Sequence, residues 1–107
     1  MSDSKFGYLL EAEGQIDPSD IVAEVARGFN VTVKDILGKS HMQHVVRARK
    51  TAIAAVREMT ELSYPAMGRL FKRHHTTVIH HVTTARDDPR VMRALALVIA
   101  RHAEKAS

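Results

Sequence analysis

The feature that most constrains this chain is a run of apolar residues at helical spacing near its middle. Val45, Ala48, Ala52, Val56 and Met59 fall on one stripe, and Val46, Ile53 and Leu62 widen it. Residues three and four apart share a helix face, so the spacing predicts a long central helix over about 42–61 with one side buried. Its other side carries Arg47, Lys50 and Arg57, with Arg49 close by. A stripe of that length needs covering, and the rest of the chain supplies short helices opened by cap chemistry. Asp17-Pro18 is one such start, with a carboxylate to cap and a proline where no N–H is needed. Ile21, Val22, Val25, Ala26 and Phe29 follow at helical spacing, and Gly28 marks the end of a helix over about 18–27. Thr32 caps a short second helix through Leu37, stopped by Gly38.

After the central helix, Ser63 and Pro65 open a short helix to Phe71 that buries Met67, Leu70 and Phe71. Residues 72–75 form a tight polar connection. The next helix runs over about 76–86 with Val78, Ile79, Val82 and Ala85 inward. Asp88-Pro89 starts a last helix to about Lys105, with Val91, Leu95, Val98 and His102 on its stripe. No segment alternates as a strand, so the expected fold is all-α, a compact bundle of about six helices. Residues 1–16 show no sustained period and read as an N-terminal arm, leaving residues 17–107 as one domain.

Size and charge narrow the function. At 107 residues the chain fits one core and is too short for a catalytic domain beside a separate binding domain. Its longest apolar stretch, Ala94 to Ala100, falls well below the ~18 residues of a membrane span, so no membrane partner is expected. The start, Met1-Ser-Asp-Ser-Lys, lacks the basic and apolar runs of a secretory signal, and the absence of cysteine fits the reducing cytoplasm. The net charge is +4, unevenly spread. Residues 1–35 hold seven acids against three bases, whereas residues 39–86 hold nine bases, six of the seven histidines and only two acids, Glu58 and Glu61. A basic module of this kind is either a solvated face or a nucleic-acid footprint.

Two short helices joined by about four residues, the second opening on hydroxyls, make a helix-turn-helix, whose second helix points its first residues at base edges. Here those residues are His75, Thr76 and Thr77. Threonine offers a hydroxyl to bases or phosphate and a methyl to thymine, while histidine donates or accepts. Lys72 and Arg73, in the turn, would lie beside the backbone. The plainer alternative is a helical hairpin in which Thr76 only caps.

Three blocks then resemble the C-terminal DNA-binding domain of the bacterial replication initiator DnaA. They are Ile21-Val-Ala-Glu-Val-Ala with Phe29-Asn-Val and Asp35-Ile-Leu; Val45-Val-Arg-Ala-Arg-Lys-Thr-Ala through Arg57-Glu-Met-Thr; and Ser63-Tyr-Pro-Ala-Met-Gly-Arg-Leu-Phe with His75-Thr-Thr-Val. The likeness covers about three fifths of the chain, from Ile21 to Ala85. It implies double-stranded DNA as partner, with base reading by His75, Thr76 and Thr77, an approach to the bases by Pro65, and phosphate contacts from Arg49 and Lys50. Two departures stand out. The family usually reads Phe-Gly-Gly-Arg-Asp-His-Thr-Thr, whereas this chain has Phe71-Lys-Arg-His-His-Thr-Thr, one residue shorter. His74 therefore replaces a carboxylate able to accept from cytosine, which leaves the cytosine preference open. Where the family has a minor-groove arginine this chain has His41, with Lys39 as the substitute. Five cations, Lys39, Arg49, Lys50, Lys72 and Arg73, are then expected at phosphates.

No Gly-x-x-x-x-Gly-Lys-Ser/Thr phosphate loop is present, so no nucleotide or other cofactor is expected and the chain is not an initiator by itself. It reads instead as a free-standing regulator of replication or transcription at DnaA-box-like sites, near the nucleoid, or as a mobile-element protein; an expressed fragment is the weaker alternative, because Met1 is followed by an arm. Phe6, Tyr8 and Leu9 of that arm form a patch for replication or regulatory proteins. An enzyme or metal reading founders on geometry. His74 and His81 share a helix face but lie roughly 10 Å apart, too far for one ion. His41 and His44 have no carboxylate beside them, and no nucleophile and base pair is apparent. The remaining alternative is a protein-interaction module using the basic face for an acidic partner.

Overall fold

A computed structural model describes residues 16–106, and within them the chain forms six helices. These are α1 (Pro18–Phe29), α2 (Val33–Leu37), α3 (Gln43–Met59), α4 (Tyr64–Phe71), α5 (His75–Ala85) and α6 (Pro89–Ala106). Most starts follow from the local chemistry expected. Asp17 accepts from the Ser19 amide at 2.8 Å, Ser63 from the Ala66 amide at 3.2 Å, and Asp88 from the Arg90 amide at 3.0 Å. Thr32 and Asp35 form a reciprocal capping box, each side chain accepting from the other's amide. That bond from the Thr32 amide, followed by one from its hydroxyl, holds the Asp35 carboxyl below its usual pKa.

Two boundaries differ from expectation. α1 continues past Gly28 and is closed by Asn30 at φ 58°, whose amide bonds back to Ala26 and Arg27. Asparagine tolerates the left-handed region well, so it takes the cap that glycine more often fills. α5 opens one residue before Thr76, with His74 as its cap: the Nδ1 of His74 accepts from the Thr76 amide at 3.2 Å. Ile79, expected inside, is 38% exposed.

The central stripe behaves as predicted. Val45 is buried, and Ala48, Ala52, Ile53, Val56 and Met59 of α3 form one core with Ile21, Val22 and Val25 of α1, Met67 and Phe71 of α4, Val78 of α5 and Val98 of α6. Alanine at positions 48, 52 and 55 keeps the central helix thin enough for its neighbours to close on it. Polar ties fix the outer elements. Arg47 on α3 bonds Asp88 at the start of α6 at 3.0 Å, and Arg57 lies 4.2 Å over the Tyr64 ring. On the far side, the buried Glu24 carboxylate of α1 faces Arg101 at 3.6 Å and His102 at 3.4 Å on α6. No helix among the described residues is long and apolar enough to cross a membrane. The arm with Phe6, Tyr8 and Leu9 lies outside the described residues.

Candidate nucleic-acid interface

α4 and α5 pack at a tight corner whose geometry rests on two backbone features. Lys72 caps α4 in the left-handed region at φ 59°, its amide turned back toward Arg69 and Gly68. The Arg73 amide then bonds the Gly68 carbonyl at 2.8 Å. Gly68 is buried, and a Cβ there would stand 2.6 Å from the Arg73 carbonyl oxygen and 3.3 Å from the His75 nitrogen. The corner is therefore closed by a glycine inside α4 and a left-handed lysine after it. Lys72 accepts a conformation that glycine adopts without cost.

This corner presents the first turn of α5 to solvent. His74, His75, Thr76 and Thr77 are all exposed, as are Lys72 and, one helix earlier, Pro65. The His74 and His75 rings sit 4.4 Å apart, and His74 Nδ1 lies 2.8 Å from the Thr76 hydroxyl. Because His74 caps the helix, Thr76 is not needed as its cap. Val78, immediately after, is fully buried and anchors the turn in the core.

The candidate cations fall into two settings. Lys39, His41 and Lys72 are exposed and Lys50 is half-buried. Arg49 is only 4% exposed, and its guanidinium donates to the carbonyls of Ile36 (2.7 Å), Ser40 and Asp35 (both 3.0 Å) and Gly38 (3.1 Å). Arg73 is half-buried; it donates to the Phe71 carbonyl at 3.0 Å and to the carbonyls of Leu37 and Gly38. The Gly38 carbonyl thus accepts from both arginines. Burial lowers both guanidinium pKa values from the usual range, and for Arg49 the neighbouring Arg73 adds to the effect. Both keep their charge, as arginine does in proteins. Together they fasten the α2–α3 loop to α3 and to the turn before α5.

That fastening creates a cleft of about 340 Å³ between the loop and α5, lined by Lys39, His41, Val46, Arg49, Arg73, Thr77 and His81. Loop and helix residues that are far apart in sequence meet there. Pro65 and Lys72 lie on the same corner but do not line the cleft. Among the described residues no three histidine, aspartate or glutamate side chains converge on a metal site. Two residues that shape this region escaped the sequence: the buried Gly68, which reads as an ordinary small residue in a helix, and His81, which looks like one of a histidine pair.

Taken together, a capped and exposed second helix, a closed corner and a basic loop tied to it define a helix-turn-helix module. The chain belongs to the bacterial DnaA helix-turn-helix family: the model described as "Bacterial dnaA protein helix-turn-helix" matches residues 18–84, which is α1 through nearly all of α5. Among curated relatives it is similar to the chromosomal replication initiator protein DnaA of Leifsonia xyli subsp. xyli, 43% identical over 72 residues, covering 66% of this chain and 15% of that protein. The protein of the same name from Cutibacterium acnes is 42% identical over 69 residues, and that from Streptococcus thermophilus 45% over 62 residues, covering 64% and 57% of this chain and 14% of each relative. The chain thus spans about one seventh of the length of these relatives.

Proposed function

We propose that this chain binds double-stranded DNA, with the first turn of α5 in the major groove, and acts as a regulator of replication or transcription at DnaA-box-like sites. The observation that carries the reading is the arrangement at residues 74–77. The capping demand of α5 is met by His74, which leaves Thr77 and the His75 ring projecting from an exposed helix start inside a basic surface. The positive end of the helix dipole at such a start also favours a phosphate. Lys39 and His41 extend the surface toward the adjacent groove, and Pro65 flanks the bases. In this reading Arg49 and Arg73 act through the loop and turn they hold, while Lys39, Lys50 and Lys72 neutralise phosphates. The domain acts by binding and carries out no reaction, with no nucleotide or cofactor.

Selection from a random duplex library, followed by sequencing, tests the reading. An enriched motif is expected. No enrichment, together with retention of an acidic protein partner, would instead favour the protein-interaction module. On the selected site Thr77→Ala should lose about 1–3 kcal/mol of affinity while random duplex binding changes little, because only base contacts discriminate. Titration against salt is expected to give a log–log slope of about −3, since Lys39, Lys50 and Lys72 each release a counterion with a contribution of about 0.9. A slope near −5 would show that the two arginines contact phosphates as well.

A further inference from the structure

His81 sits one turn after Thr77 on the same face of α5 and lines the cleft beneath the loop. It is half-buried, and its Nδ1 is shut off from solvent with no hydrogen-bond partner in the structure. A buried polar atom without a partner is costly and asks for an explanation. Its surroundings are cationic from every side: Arg49 and Lys50 come from α3, Arg73 from the turn, Lys39 and His41 from the loop, and His80 is its neighbour on α5. No carboxylate lines the cleft. The cleft therefore gathers cations with no counter-charge along its lining, beside a ring nitrogen whose hydrogen-bonding capacity is unused.

We propose that this cleft takes one phosphate group of the nucleic-acid backbone, and that His81 couples its occupation to the uptake of a proton. The proposal rests on the DNA-binding reading and adds a proton to it. In the free chain, burial together with Lys50, Arg73, Arg49 and His80 pushes the His81 pKa down to about 4, so the ring is neutral. A phosphate in the cleft would offset those charges and accept from the imidazolium, returning the pKa toward the ordinary value of about 6.5. Protonation is then favoured in the complex and disfavoured without it, so affinity rises as pH falls from about 7 toward 5. The free fold shows the opposite sign. Its His81 pKa lies below the unfolded value, so stability tied to the neutral ring is full above about pH 6.5 and is lost as pH falls toward 4.

The test is duplex binding by the full chain at constant ionic strength between pH 7.5 and 5.5, for the wild type and for His81→Gln, which is neutral throughout. The other histidines are common to both proteins, so the difference between the two profiles is what the His81 ring contributes. The wild type should gain about tenfold more affinity than the variant over this range, as expected for one proton bound near pH 6.5 in the complex. In parallel, the His81 ring protons followed by NMR should titrate at higher pH in the presence of duplex than in its absence. Inorganic phosphate added to the free chain at pH 6 distinguishes the sources: movement of the ring signals with phosphate marks a general anion site, and movement with duplex alone marks one shaped for the backbone. Parallel pH profiles with duplex still bound, and a ring pKa unmoved by either probe, would overturn the proton coupling and leave DNA binding standing. Absence of binding to any duplex at any pH would instead overturn the reading beneath it.

Discussion

Arg49→Ala is expected to lower the stability of the fold by about 3–4 kcal/mol, an unusually large loss for an arginine on a helix whose other face is basic. The guanidinium is buried and donates to four carbonyls, those of Asp35 and Ile36 in α2 and of Gly38 and Ser40 in the loop that follows. Bonds from a charged donor contribute about 1.5–3 kcal/mol each, and the acceptors that can reach water recover part of the loss. For a domain with about 5–15 kcal/mol in all, that is a substantial share. Denaturant unfolding would show the midpoint falling at an unchanged slope. Arg49→Lys should not rescue it, because one compact ammonium cannot span carbonyls that a planar fork reaches on three nitrogens. Were Arg49 instead a free phosphate contact, alanine would leave stability intact and reduce the salt slope of duplex binding by about one.

Gly68→Ala should be nearly as damaging, by about 2–3 kcal/mol, and should weaken duplex binding beyond what instability explains. The new methyl would meet the Arg73 carbonyl at 2.6 Å and the His75 backbone. Both are main chain, so the corner between α4 and α5 has to open, and the bond from the Arg73 amide to the Gly68 carbonyl is strained with it. Gly28→Ala is the matched control. It is exposed in α1 with nothing near the place a Cβ would take, so alanine there should be neutral or stabilise by about 0.5–1 kcal/mol. Thermal melts of the two variants, read beside binding to the selected duplex, separate corner geometry from helix propensity. Equal behaviour of the two would show that the close approach at Gly68 does not set the corner.

Local chemistry explains why so much of this fold can be read along the chain. Asp17-Pro18, Thr32, Ser63 and Asp88-Pro89 declare helix starts within three residues of themselves, and the stripe on α3 declares the core. The errors arise where two neighbours compete for one role. Asn30 rather than Gly28 closes α1, and His74 rather than Thr76 caps α5, because the winner is set by the path the backbone takes next. Arg49 is the largest gap between pattern and structure. In sequence it stands with Arg47 and Lys50 on a basic helix, and only the arrival of carbonyls from nine to fourteen residues upstream turns it inward. Gly68 and His81 likewise acquire meaning only through residues that folding brings beside them. The exposed first turn of α5, by contrast, was legible from its hydroxyls and histidines alone.

One further consequence lies on the side of α1 and α6. Ile16, the first described residue, and His102, near the end of α6, line the same cavity together with Glu24, which also pairs with Arg101. The path into the domain and the path out of it therefore run within one cavity's breadth of each other, and none of the residues lining that cavity lines the cleft beside α5. A unit whose entry and exit lie close together and away from its proposed binding surface has the geometry of a cassette, one that short connections could join to a longer polypeptide without threading a linker across that surface.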